Sequence, residues 1–413
     1  MARALTEMVI RYLKTLIWSD EFLAEARVCE KDFTRRRKLD FPDYVQMTVN
    51  RSSTSLADMI RRFKGTKTPG RSCSRQAYSQ GRKRIRPEAF LELVRRSALF
   101  IQENAAELKK WHGLRVLAVD GSRINLPDSG ESKAHFGFQK STGEQVQGLF
   151  SGLFDVLNRI FVDARLAPCA ASERDLALQH LQYLDAMQPP MRKSVILFDR
   201  GYPSGDLLSQ IDELGFYYVM RCSAEFVKGM SLQGNDCVLT HKFVHTAEPV
   251  TLRVIRLPLA DGTTEILVTN LFHKRYFLTA FKKLYHLRWG IETAYAFLKG
   301  RLEVENFSSV LPCGILQDMY GAIVLMNLLG SFALDLCRAH PLPEGKAIWW
   351  AEVIRLYKTC LFTLFRYKRV HPPFLEKLLL EASGFRVNVI SGRSFERIIH
   401  HKTARFSQNN RGF

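Results

Sequence analysis

Apolar residues recur every three or four positions through the first hundred residues. Leu5, Met8, Val9, Tyr12, Leu13 and Leu16 share one helical face. After Pro87, which suits the first turn of a helix, so do Phe90, Leu93, Val94, Ala98 and Ile101. The texture changes at residue 113, where "LRVLAVDGS" is a short apolar run ending in Asp120-Gly121-Ser122. "QGLFSGLFDVL" and "IFVDARLAP" bracket Asn158-Arg159 and predict a hairpin. Ser172-Glu173-Arg174-Asp175 reads as a helix cap with an acid three residues on; the helix carries Leu176, Leu178, Leu181 and Leu184. "SVILFD" is a second buried strand, "PSGDLLSQIDELG" a helix closed by Gly215, and "FYYVMRC" a third strand. This order predicts a mixed α/β sheet with helices to cover its faces.

Residues 223–273 break the rhythm. "VTLRVIRLPL" and "TTEILVTNL" flank Asp261-Gly262, a strong turn signal, and predict a β-rich insertion. "YHLRWGIETAYAFLKG", 285–300, reads as one long helix. At about 100° per residue, Tyr285, Arg288, Glu292 and Lys299 fall within an arc of about 60°, with Gly290 opposite. The bland account of this stripe is a solvated face with an i,i+4 Arg–Glu pair. The apolar stretch 319–336 contains Asn327 and Asp335, so a buried core helix explains it better than a membrane span. The expected division is a helical domain over 1–112 and an α/β domain over 113–340, interrupted by the insertion over 223–273. A helical, basic C-terminal region over 341–413 completes it.

Charge changes the picture. The chain of 413 residues carries 60 Lys plus Arg against 41 Asp plus Glu, a formal net charge of +19. That excess points to a polyanionic partner, nucleic acid first and an anionic membrane surface second. Arg61 to Arg86 holds ten cations and no acid, which favours a phosphate-binding surface. Inside it, "GTKTPGRS" (65–72) imitates a nucleotide-binding loop, but it has Arg71 where Lys is needed and no preceding apolar strand. The tail beyond Phe385 has six Lys or Arg and one acid, Glu396. None of the eight cysteines forms a C-x-x-C pair, so buried free thiols and a cytoplasmic location are expected.

Asp120 and Asp199 end apolar strands, where ligands collect in open α/β sheets. Each also suits a turn. If the two strands are neighbours, both carboxylates face one crevice, and Glu292 on an adjacent helix makes three. Three hard oxygen donors suit Mg²⁺ or Mn²⁺, and two such ions, roughly 3.5–4 Å apart, serve phosphoryl transfer. Arg288 and Lys299 would meet phosphates on either side of the acid, about 16 Å apart along a helix.

Tyr285-x-x-Arg288-x-x-x-Glu292-x-x-x-x-x-x-Lys299 resembles the Tyr-Arg-Glu-Lys signature of DDE transposases from bacterial insertion sequences, in the branch called the insertion sequence four family. "VDGS" (119–122) and "FDRGYPS" (198–204) resemble its first and second acidic motifs, and "LRWGIE" the approach to its glutamate. "SERD" (172–175) and the Asn-containing apolar helix near 327 are similar too. "SRQAYSQGRKRIRPEAF" (74–90), with Arg75, Arg82, Lys83, Arg84 and Arg86, resembles its N-terminal basic segment. The resemblance covers most of the chain and is specific around the three acidic motifs. Ser122 stands where many members have Thr. The insertion has no Trp, so a base-stacking role often placed there in the family would need another aromatic, such as Phe243.

The resemblance implies a ribonuclease-H-like core with a β-rich insertion, and Asp120, Asp199 and Glu292 as metal-binding catalytic acids. Tyr285, Arg288 and Lys299 would contact the element's end. The expected function is binding of terminal inverted repeats, metal-dependent cleavage and strand transfer into target DNA, by a homodimer on double-stranded DNA and away from membranes. The alternatives are a stand-alone metal-dependent DNA nuclease and a non-catalytic DNA-binding protein. Asp128, Asp155 and Asp163 are expected at surface or turn positions, Glu173 and Asp175 as helix-cap groups, and His400-His401 without a metal role.

Overall fold

The computed structural model describes residues 4–35, 37–51, 56–65, 73–105, 108–138, 145–187, 193–228, 230, 232–244, 246–259, 262–366 and 372–389. Six helices come first: α1 (Leu5–Ile17), α2 (Asp20–Ala26), α3 (Phe41–Val49), α4 (Leu56–Gly65), α5 (Arg75–Arg82) and α6 (Glu88–Asn104). The central run is β1 (Arg115–Asn125), α7 (Gly130–Phe136), β2 (Gln147–Asp155), β3 (Ile160–Pro168), α8 (Glu173–Ala186), β4 (Ser194–Phe198), α9 (Gly205–Glu213) and β5 (Tyr217–Cys222). Then follow β6 (Asp236–His241), β7 (Val250–Pro258), β8 (Thr264–Thr269), α10 (Leu278–His286), α11 (Trp289–Gly300) and α12 (Pro312–Ala339). The described chain ends with β9 (Lys346–Ile348), α13 (Trp350–Arg366), α14 (Pro372–Ser383) and β10 (Arg386–Asn388).

The chain forms two compact units. The first comprises Met1–Ala105, Ile124–Gly148 and Phe297–Phe413, the second Ala106–Arg123 and Leu149–Ala296. In the first, α12 packs against α1, α3 and α6. It is apolar around most of its circumference, and burial on nearly all sides follows from that. It is the one described helix long and apolar enough to cross a membrane. The expected division put this helix in the α/β domain. It packs instead with the N-terminal helices, because their amphipathic faces need an apolar partner that sequence order does not name. Its Asp318, although burial favours the neutral carboxyl, is held below the ordinary carboxylate range by Arg51 and Arg82.

The second unit is built on one eight-stranded sheet in the order β3-β2-β1-β4-β5-β8-β7-β6. β1, β4 and β5 run parallel. All five residues of β4 are buried, as a parallel strand covered on both faces requires. Leu117, Ile196, Tyr218, Leu181 and Leu208 share the core between this sheet and helices α8 and α9. Gly215 closes α9 with φ +75°, a left-handed geometry that costs glycine little. The insertion is β-rich, but it forms no sheet of its own. β8 pairs antiparallel with β5 and β7 with β8, so three strands extend the main sheet by completing the ladder at its open edge.

Candidate active site

The register between β1 and β4 decides where the first two acids stand. Arg115 pairs with Ser194 and Ala118 with Leu197. Asp120, within β1, and Asp199, the residue after β4, each stand two positions beyond the last of these pairs. Both lie at the carboxyl end of their strand pairing. Asp120 is partly buried, and burial pushes its carboxyl up to about 7 against the pull of Arg288 and of the Gly121 amide. Glu292 and Asp199 add to the rise, so the three acids share one electrostatic environment.

Glu292 lies in the first turn of α11. The long helix expected over 285–300 is in fact two. Between α10 and α11 the amides of Leu287, Arg288, Gly290 and Ile291 bond three residues back, at 2.9–3.1 Å, instead of four. Here Gly290 matters, since a Cβ on it would sit 3.1 Å from Cβ of Val156, in the β2–β3 turn. The close approach seats the start of α11 against that turn. Arg288, in the tightened joint, is buried. Its Nη2 donates to Glu292 Oε1 at 2.7 Å, and its Nη1 lies 3.9 Å from Asp120 Oδ2. One guanidinium therefore spans two of the acids, while Nε and Nη1 make no hydrogen bond among the described residues.

Three carboxylates are, by their chemistry, donors of the kind a hard divalent cation takes. Among the described residues no three His, Cys, Asp or Glu side chains are gathered closely enough to hold one ion. The positive charge between Asp120 and Glu292 belongs to Arg288. Burial, with Glu292 and Asp199 adding to it, raises the Asp120 carboxyl, and a bound cation would offset that rise.

Several expected DNA contacts are placed otherwise. Tyr285 is 4 % exposed, packed with Phe281 and Leu284 on the buried face of α10, so its ring is a core group beside Arg288. Arg82 is 3 % exposed and donates to Asp318, Gln317, Ser308 and the Gly314 carbonyl. It is a structural cation, because a buried guanidinium needs its donors satisfied. Arg84 is partly buried, 3.6 Å from Asp32. Arg75, Lys83 and Arg86 are exposed. Lys299, in the last turn of α11, is partly buried and has an interaction of its own. Residues 66–72, with most of the loop-like "GTKTPGRS", and the tail from 390, with His400-His401, lie outside the described residues. Phe243 is stacked on Phe226 and packed on Gly205, which commits its ring to the protein. The cysteines are free, but only Cys222 is buried.

Two groups were underread. Asp155 and Asp163 are fully buried. Asp155 accepts from the amides of Leu157 and Asn158 in its turn, whereas Asp163 lies on β3 and takes His180 Nδ1 at 2.7 Å. His180 Nε2 lies 3.0 Å from Ser151 Oγ. This Ser-His-Asp line has the spacing of a hydrolytic triad, but all three side chains are sealed in the core, so no substrate reaches it. It fastens α8 to β2 and β3. Tyr295 was also missed: its hydroxyl donates to the Asp120 carbonyl at 2.6 Å. Its place three residues after Glu292, one turn along α11, was the available signal.

Residues 111–328, a little over half of the chain, match the family model described as the transposase DDE domain. The chain belongs to the DDE transposase family. It is 28 % identical to the putative transposase InsZ of Escherichia coli K12 over 193 residues, 44 % of this chain and 60 % of that one. It is 23 % identical to the transposase InsG for insertion sequence element IS4 of the same organism over 270 residues, 61 % of this chain and 60 % of that one. The chain thus spans about 60 % of the length of the curated relatives it matches. A piggyBac transposase synaptic complex with hairpin DNA aligns with a TM-score of 0.48 at 13 % identity, over 93 % of this chain and 87 % of that one. The fold is of the expected α/β class, a large mixed sheet with a helical N-terminal region. Members of the DDE transposase family generally use divalent metal ions.

Proposed function

We propose that this protein is a transposase of the insertion sequence four type that cleaves DNA at the ends of its element and joins the freed 3′ end to target DNA. Asp120, Asp199 and Glu292 are its catalytic, metal-holding acids. The observation that carries this reading is Arg288, which reaches both Glu292 and Asp120, with Asp199 following the strand that pairs with β1.

Bound at these acids, Mg²⁺, with Mn²⁺ as a substitute and two ions in all, would activate the attacking oxygen and stabilise the leaving one. The chain's own residues do the rest. Arg288 has donors to spare for a phosphate once Glu292 turns to the metal. Its burial between Tyr285 and Trp289 restricts where that phosphate lies. Exposed Arg75, Lys83 and Arg86 supply sequence-independent grip on the terminal repeats, and Lys299 anchors a phosphate further along. A homodimer holds two ends together for joining. Free cysteines and a DNA substrate fit work in the cytoplasm.

The test is single-turnover cleavage by full-length protein on DNA carrying its element's ends, with and without Mg²⁺. Asp199→Asn removes a charged ligand at constant shape. It should abolish cleavage and leave DNA affinity within about twofold, because phosphate contacts set affinity. Wild-type cleavage by Asp199→Asn overturns the assignment.

A further inference from the structure

Asp120 on β1 and Asp199 just after the paired strand β4 are each carried by backbone whose next residues are held from outside. The Asp199 side continues as Arg200-Gly201-Tyr202-Pro203. Arg174 grips this loop, donating from Nε and Nη2 to the Gly201 carbonyl at 3.2 and 3.0 Å and from Nη2 to the Pro203 carbonyl at 3.4 Å. On the Asp120 side, Glu173 lies over Gly121. A Cβ there would sit 2.6 Å from Glu173 Oε1, so only glycine admits the carboxylate at this distance. Burial drives the phenol of Tyr202 well above its ordinary value, and Glu173, Asp120 and Asp199 all add to that rise, which puts the fourth acid in the surroundings of the other two.

Glu173 and Arg174 are consecutive, the first two residues of α8, and Ser172 caps the helix by accepting from the Asp175 amide. The same helix is fastened further along by His180 to Ser151 on β2 and Asp163 on β3. A rigid element anchored in the sheet thus presents one side chain to each aspartate-bearing segment.

We propose that Glu173 and Arg174 are positioning residues of the acid site: Glu173 seats the Asp120–Gly121 step and Arg174 the Gly201–Pro203 loop, and together they set the separation of Asp120 and Asp199. The proposal rests on these aspartates being the metal-holding pair. Neither residue touches the reacting atoms; each acts on the backbone that carries a ligand.

The experiment uses the full chain and reads Mn²⁺ binding without DNA by electron paramagnetic resonance, beside a thermal melt and a Mg²⁺ titration of single-turnover cleavage. Arg174→Ala should weaken Mn²⁺ binding by about tenfold or more, as loss of a supporting partner around metal ligands does. It should raise the Mg²⁺ needed for half-maximal cleavage more than it lowers the rate at saturation. Arg174→Lys, which keeps one donor for Gly201, should recover part of the affinity. Gly121→Ala, which displaces Glu173 without removing its charge, should move metal binding in the same direction, and it decides the matter if Arg174→Ala does not fold. A lowered melting temperature with unchanged Mn²⁺ affinity in both variants overturns the proposal. Asp199→Asn separates the two levels. If it binds Mn²⁺ like wild type, the acid site itself is wrong. If it loses Mn²⁺ while Arg174→Ala and Gly121→Ala do not, only the positioning role is wrong.

Discussion

Arg288 donates from Nη2 to Oε1 of Glu292 over 2.7 Å, one turn earlier in the chain and almost wholly buried. The pair is an i,i+4 contact of the kind that decorates many helices, yet the same guanidinium also reaches toward Asp120. A positive charge between two prospective ligands competes with a metal ion. On the proposed reading it would become available to a phosphate only once that ion is bound.

Arg288→Gln should therefore split two properties. Without the competing charge, DNA-free protein should bind Mn²⁺ more tightly than wild type. Cleavage should fall by about 100-fold, the scale of losing one aligned donor to a reacting phosphate. Resonance titration and single-turnover cleavage measure the two. Weaker Mn²⁺ binding would mean that Arg288 organises the acids and does not compete for them.

The basic N-terminal segment should divide by burial. Replacing Arg75, Lys83 and Arg86 together with Ala should lower DNA affinity and flatten its logarithmic salt dependence by about 1 to 3, one phosphate contact being worth about 0.9. Asp318→Asn should instead cost about 3–5 kcal/mol of stability, because Arg51 and Arg82 would lose a buried counter-charge. Denaturant unfolding and a salt series of binding curves check both. An unchanged salt slope removes the exposed cations from the DNA footprint.

The buried Ser-His-Asp line predicts a negative result with a stability signature. Ser151→Ala should retain cleavage, and intact protein should resist serine-directed phosphonylation, since Ser151 has no exposure. His180→Leu should cost about 1–3 kcal/mol, the penalty of leaving Asp163 short of a buried partner. Labelling of Ser151 in the folded chain would show access that the packing denies.

Asp155 gives a pH dependence of definite sign. Burial pushes its carboxyl up to about 6, against hydrogen bonds from Asn158 and Leu157 and the charge of Arg115. The folded state then holds a proton that the unfolded chain has released, so between about 4 and 6 this group's contribution falls as pH rises. Asp155→Asn removes that dependence. Wild type should gain stability relative to the variant, by at most about 3 kcal/mol, as pH is lowered from 7 to 4. Parallel curves for the two proteins would refute it.

The sequence alone determined what local chemistry governs. Short apolar runs ending in Asp120 and Asp199, a cap at Ser172, Gly215 at a helix end and the Arg288–Glu292 spacing are all legible within a dozen residues, because hydrophobic period and turn chemistry act at that range. What the sequence could not determine was which distant group would claim each polar residue. Arg82 reads as one more exposed cation until Asp318, 236 residues away, buries it. Asp163 reads as a hairpin residue until His180 closes on it. The stripe from Tyr285 to Lys299 reads as one helix, because periodicity averages over a joint that only the contact of Gly290 with Val156 makes visible. Glu173 and Arg174 read as a cap, since the Gly121 and Gly201 backbones they meet come from β1 and from the loop after β4. That the strands leading to Asp120 and Asp199 are neighbours could not be read from either one, because strand pairing is settled by burial across the whole sheet.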